Sequence, residues 1–165
     1  MNPSQPTRHR VALTIAGSDS GGGAGIQAHL KTFEAFGVFG TSAVTAVTVQ
    51  NTVGVFGVHT IPPDIVIEQI RAVAADLGPV ACKSGMLADA PTIGAVAGAL
   101  TEVGIEHYVL DPVMVAASGD ALLEPDAVGS LRSKLLPLAS LVTPNLDEAA
   151  ILTDMSVRDE ADMRQ

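Results

Sequence analysis

The sequence predicts an α/β fold, a mostly parallel sheet layered between helices as α/β/α. Three observations carry the fold class. Short β-branched apolar runs alternate with longer segments of helical periodicity in the order βαβαβα. Many of these runs are apolar at nearly every position, as strands buried on both faces are. Five of these runs also end in a polar or glycine-bearing cluster, and open α/β sheets bind ligands beyond the carboxyl ends of their strands.

The elements follow in chain order. Residues 1–9 are polar, contain two prolines and read as a flexible tail. Residues 10–16 form the first strand, and residues 24–37 a helix with Ile26, Leu30, Phe33 and Phe36 on or near one face. Residues 42–49 are β-branched and short enough for a strand, and residues 55–60 read as an edge strand halted by Pro62 and Pro63. Pro63 opens a helix bearing Ile65, Ile67, Ile70, Val73 and Leu77. Residues 80–83 are a strand, 90–103 a helix closed by Gly104, and 108–110 a strand running into Asp111-Pro112. A helix over 125–136 stopped by Pro137, a strand at 141–143, and a helix starting at Asn145 complete the pattern. Residues 159–165 read as part of a further amphipathic helix.

Composition narrows the function. The 165 residues suit one ordinary domain, over 10–165, with 47% hydrophobic residues for its core. A net charge of −9 argues against a nucleic-acid binder and leaves no polybasic patch for a membrane. No apolar run approaches the ~18–20 residues of a membrane span, and residues 1–10 lack the apolar centre of a signal peptide. The single Cys82 excludes an internal disulfide, fits a reducing cytoplasm and reads as a small buried hydrophobe.

Residues 16–25, Ala-Gly-Ser-Asp-Ser-Gly-Gly-Gly-Ala-Gly, join the first strand to the first helix. Five glycines in ten residues free the backbone for tight turns and close ligand approach. The arrangement is expected to aim the first amides of the helix at a ligand above the strand end. A dinucleotide fingerprint from Gly21 and Gly23 fails because its third glycine would fall on Ile26, and a P-loop fails because Gly-Lys occurs nowhere. Alone, the segment is either a ligand loop or a structural turn. Four further clusters share the strand-end position: 50–51, 83–86, 111–114 and 143–145. Turn chemistry alone does not explain five in a row.

Residues 13–27, 45–52, 83–87, 110–114 and 143–148 resemble, in order, the motifs of bacterial hydroxymethylpyrimidine/phosphomethylpyrimidine kinases, members of the ribokinase-like superfamily. The resemblance implies ATP- and Mg²⁺-dependent phosphorylation of 4-amino-5-hydroxymethyl-2-methylpyrimidine and then its monophosphate, in thiamine biosynthesis. It implies a cytoplasmic enzyme, homodimeric at full length. Gln50 matches the glutamine that pairs with the aminopyrimidine; an amide offers a donor and an acceptor in one plane. Met86 and Val113 match residues packed on the ring, or are simple core. Gly17 and Ala24 match small residues that let the substrate lie against the first loop.

Asn145 and Glu148 match the superfamily's N-x-x-E motif, which helps hold Mg²⁺ and phosphates, usually through water; Glu148 is the metal-side residue. The same pair reads as a capping box, and both roles can coexist. Asp111 matches an acidic residue on the phosphate side, or is a plain Asp-Pro turn. Lys83 is left unassigned.

Two departures stand out. Where the family usually reads Gln-Ala-Asp, this chain has Gln27-Ala28-His29, which retunes substrate recognition or leaves an idle helical histidine. The family's anion hole, its catalytic residue and most of its adenine pocket belong to a later stretch without counterpart in residues 1–165. No catalytic residue is therefore assigned, and this chain alone is expected to be inactive. The alternatives are a pyridoxal-type kinase of the same superfamily and a non-catalytic pyrimidine-binding module. A Rossmann-type oxidoreductase is disfavoured by the absent fingerprint.

Overall fold

The structure is a computed structural model that describes residues 10–115, 122–124 and 126–164. The expected tail at 1–9 and Pro125, the start of the expected fourth helix, lie outside the described residues.

Eleven elements follow one another: β1 (Val11–Ser18), α1 (Gly25–Ala35), β2 (Phe39–Gln50), β3 (Val55–Thr60), α2 (Pro63–Leu77), β4 (Ala81–Ser84), α3 (Ala90–Val103), β5 (His107–Leu110), α4 (Ala127–Ser130), β6 (Leu141–Val142) and α5 (Leu146–Thr153). The six strands form one sheet in the order β3-β2-β1-β4-β5-β6, parallel except for the edge strand β3. Strand periodicity divides β1 between two layers. Leu13 and Ile15 enter the core with Val66 and Ile70 of α2 and Ile93 and Val96 of α3. Thr14 faces the other way and meets His29 of α1. On that face, a side chain at Gly40 would strike Leu30 and Phe33 of α1. The α/β/α layering and the mostly parallel sheet of the sequence reading are both present.

Most predicted boundaries agree to within a few residues, and two segments differ. The expected continuous helix before Pro137 is α-helical only over Ala127–Ser130. It widens into a π turn over Leu131–Leu135, where Leu136 N–H donates to Leu131 O, and ends in a 3₁₀ turn, Leu136–Leu138, that contains Pro137. Proline has no N–H to continue an α ladder, so the chain changes its hydrogen-bond spacing before it. Residues 159–164 contain one 3₁₀ turn, Asp162–Arg164, instead of an amphipathic helix. Asp159 accepts from the amides of Ala161 and Asp162, a local bond that competes with helix formation.

Gly104, in the left-handed conformation with φ 67°, stops α3 where the sequence placed the stop. The chain leaves β1 for β2 on one side and the crossover to β4 passes to the other. The carboxyl ends of β1 and β4 therefore flank a switch point, where such sheets open a crevice. No helix among the described residues is long and apolar enough to cross a membrane.

Candidate active site

A cleft of about 270 Å³ lies at this switch point. Its walls come from β1 and the loop after it (Gly17, Asp19, Ala24), from β2 (Thr48, Gln50), from the turns after β4 and β5 (Met86, Asp111, Val113), and from His29 of α1. All six residues expected on the substrate side, Gly17, Ala24, His29, Gln50, Met86 and Val113, line this one space, together with Asp111. Asn145 and Glu148 do not line it.

The loop is held from inside. Asp19 is 5% exposed. Its carboxylate accepts from the amides of Gly21 (2.8 Å), Gly23 (2.9 Å) and Ala24 (2.8 Å). Burial works against its ionisation, but the backbone donors outweigh that and hold its pKa below the ordinary carboxylate value. The amides that the carboxylate takes belong to the loop that precedes α1, so Gly21, Gly23 and Ala24 contribute shape instead of free donors. Gly25 shows how tight the fold-back is: a Cβ there would lie 2.4 Å from Gly17 O, and its φ is +56°. Gly17 is small for a reason internal to the protein as well, since a Cβ would sit 3.0 Å from Met86 Cε.

Gln50 is fixed through its main chain. Ser20 Oγ accepts from Gln50 N–H at 2.8 Å and donates to Gln50 O at 2.6 Å, so one hydroxyl grips both sides of the residue. Thr48 Oγ1 donates to Ser18 O at 2.7 Å, with Gln50 Oε1 at 3.3 Å.

Opposite Gln50, the sequence reading missed a linked set of polar groups. Lys83 Nζ donates to Asp111 Oδ2 at 2.8 Å and to His29 Nε2 at 2.9 Å, and His29 Nδ1 lies 2.7 Å from Thr14 Oγ1. An ammonium only donates, so Nε2 must be an unprotonated acceptor. His29 is therefore neutral, with its proton on Nδ1 facing Thr14. Burial, reinforced by the Lys83 charge and opposed by Asp111, pushes the imidazole down to about 4. The available signal was a lysine at a mostly buried strand's carboxyl end, a position where unpaired cations are rare.

Asn145 and Glu148 form the capping box. Asn145 Oδ1 accepts from Glu148 N–H at 2.9 Å and Glu148 Oε2 accepts from Asn145 N–H at 3.0 Å. Glu148 Oε1 also accepts from Met114 N–H at 3.3 Å, which ties α5 to the segment after Asp111. Both Glu148 oxygens are thus partly committed to backbone amides, and the lone pairs they keep are of the oxygen class that a hydrated Mg²⁺ takes.

The family model described as phosphomethylpyrimidine kinase matches residues 19–165. The chain belongs to the phosphomethylpyrimidine kinase family. It is 56% identical over 154 residues to the hydroxymethylpyrimidine/phosphomethylpyrimidine kinase of Rhizobium meliloti, covering 93% of this chain and 58% of that protein. The chain thus spans a little under three-fifths of such a relative's length. The crystal structure of phosphomethylpyrimidine kinase from Clostridium difficile 630 superposes with a TM-score of 0.87 at 45% identity, covering 93% of this chain and 67% of that one. An ADP complex of Bacillus subtilis pyridoxal kinase superposes with a TM-score of 0.83 at 38% identity, covering 94% and 58%. The ribokinase-like fold expected from the motifs is that of these family members.

Proposed function

We propose that the protein is an ATP-dependent kinase of hydroxymethylpyrimidine and its monophosphate in thiamine biosynthesis, and that residues 10–164 supply the acceptor half of its site. The observation that carries this reading is the cleft itself. It sets a backbone-anchored Gln50 amide, a floor at Gly17 and Ala24, and apolar Met86 and Val113 around a space suited to one substituted ring. The amide would pair with ring nitrogen and exocyclic amine, while Met86 and Val113 cover the faces.

Phosphoryl transfer is catalysed mostly by positioning and charge stabilisation. Mg²⁺ bound with ATP would neutralise charge on the phosphates, with Asn145 and Glu148 holding its waters and Asp111 on the same side. We further propose a cytoplasmic enzyme that is a homodimer at full length; Phe56 and Val58, 66% and 47% exposed on the edge hairpin, support an association surface.

Calorimetric titration tests the acceptor. Hydroxymethylpyrimidine should bind the chain, and Gln50→Ala should weaken binding about tenfold or more by removing the paired amide contacts, with stability unchanged. The likeness to pyridoxal kinase favours pyridoxal as the second reading. Tighter binding of pyridoxal than of the pyrimidine would decide for it.

A further inference from the structure

Ser20 is exposed and does not line the cleft, yet its hydroxyl is engaged both as donor and as acceptor. Oγ accepts from Gln50 N–H and donates to Gln50 O. The last β2 residue paired with β1 is Val47, opposite Ser18, where β1 ends. β2 runs on to Gln50 without that neighbour, and on its other side the register with β3 shifts between Val49 and Gln50. Gln50 therefore stands at a strand end whose ladder has stopped on one side and is irregular on the other. Its N–H and C=O toward the first loop are the groups that a longer β1 would have bonded. A hydroxyl combines one donor with acceptor lone pairs, so Ser20 alone supplies both bonds.

The hydroxyl is itself held in place by its neighbours. Asp19 N–H donates to Gln27 Oε1 at 2.8 Å, Gly22 N–H donates to Asp19 O at 3.0 Å, and the Asp19 carboxylate accepts from Gly21 N–H at 2.8 Å. The turn also meets the strand end directly: a Cβ at Gly21 would lie 3.3 Å from Asn51 Cα and 3.6 Å from Gln50 O. The same stretch of chain runs from Gly17 to Ala24, which floor the cleft. Ser20 thus links that floor to the backbone that bears the Gln50 amide.

Strand ends that lack ladder partners open locally at little cost. A recognition group has to be held within about 0.5 Å and 10–20° of its productive geometry, and a long side chain amplifies any displacement of its Cα. The apparent dissociation constant rises as the competent geometry becomes less populated.

We propose that Ser20 is a positioning residue that stands in for a missing ladder partner and fixes Gln50 for pairing with the acceptor ring. The inference rests on the pyrimidine reading of the cleft, in which the Gln50 amide meets the ring. It gives the first loop a task beyond shape, carried by a side chain outside the cleft wall.

A double-mutant cycle tests it, read by calorimetric titration of the whole chain with hydroxymethylpyrimidine. Ser20→Ala should weaken binding about five- to tenfold, the scale of a net hydrogen bond. Ser20→Thr, which keeps the hydroxyl, should recover most of the affinity. In the Gln50→Ala background, Ser20→Ala should cost about twofold or less, since the amide it positions is gone. A residue that only supports the loop weakens both backgrounds equally, and that result overturns the proposal. Unaltered affinity in Ser20→Ala, or a threonine variant as weak as the alanine one, overturns it too; each of these leaves the pyrimidine reading standing. Where Gln50→Ala binds too weakly to measure, the contrast between alanine and threonine decides. Amide exchange followed by NMR reads the grip without any ligand. Gln50 N–H should be protected in the wild type and lose that protection in Ser20→Ala, with the middle of β2 unchanged. An unprotected Gln50 amide in the wild type overturns the proposal even if no variant folds. If the wild type does not bind hydroxymethylpyrimidine, or Gln50→Ala binds it as tightly, the pyrimidine reading falls and takes this inference with it.

Discussion

Replacing Gly25 by alanine should unfold the entrance of the cleft more severely than any other single-methyl addition in the first loop. Two costs combine there. The residue sits at φ +56°, in the left-handed region, and its new Cβ would lie 2.4 Å from Gly17 O and 3.1 Å from Asp19 N. The first separation must open to at least 3.0 Å, and the obstacle is backbone that cannot rotate away. The left-handed strain costs about 1 kcal/mol and the forced backbone shift about 2–3 kcal/mol, for a total of about 3–4 kcal/mol. Gly37 supplies the control. Its φ is +68° but nothing lies within 4 Å of its virtual Cβ, so Gly37→Ala should lose only about 1 kcal/mol. Urea unfolding followed by far-ultraviolet circular dichroism measures both, with equal m-values expected. Because the shift moves Gly17 and Asp19, both in the cleft wall, pyrimidine affinity should fall for Gly25→Ala and stay constant for Gly37→Ala. Equal destabilisation by the two substitutions would show that the Gly17–Gly25 contact does not constrain the loop.

Two further predictions concern ionisation and capping. His29 titrates near 6.5 when unfolded and near 4 when folded, so between those values the unfolded chain binds more protons. Stability is then fully present above about pH 6.5 and falls as pH drops toward 4; after discounting for partial solvent screening the loss is about 1–2 kcal/mol. Urea midpoints at pH 7 and 5 should differ more for the wild type than for His29→Gln, and identical pH dependence would refute the neutral-imidazole assignment. Asn145→Ala should cost about 1 kcal/mol by opening the capping box, with faster amide exchange in α5 and little change at β1; unchanged exchange in α5 would count against the cap.

Much of the cleft's lining was legible because a parallel sheet delivers its strand ends to one rim. Gly17, Gln50, Met86, Asp111 and Val113 each close or follow a recognisable strand, so the α/β pattern alone gathers them. The inside of the loop was not legible. Asp19 looks like an ordinary turn residue until the backbone folds back over it, and only then do three amides converge on its carboxylate. The helix before Pro137 misled for a local reason, since periodicity does not distinguish an α turn from the wider π turn that precedes the proline.

Local pattern settled the order of elements, the rim on which the strand ends gather and the capping box at α5. These depend on periodicity, proline and glycine placement, and motifs in which partners lie within a few residues. The network that joins Lys83 to His29 and Asp111 came from packing between distant segments. Lys83 meets a histidine 54 residues away and an aspartate 28 residues away because α1 packs across β1 while β4 and β5 run in register. Side chains so distant in the chain share a hydrogen-bond network only after strand register and helix packing bring them within 3 Å, and neither is written in any local pattern.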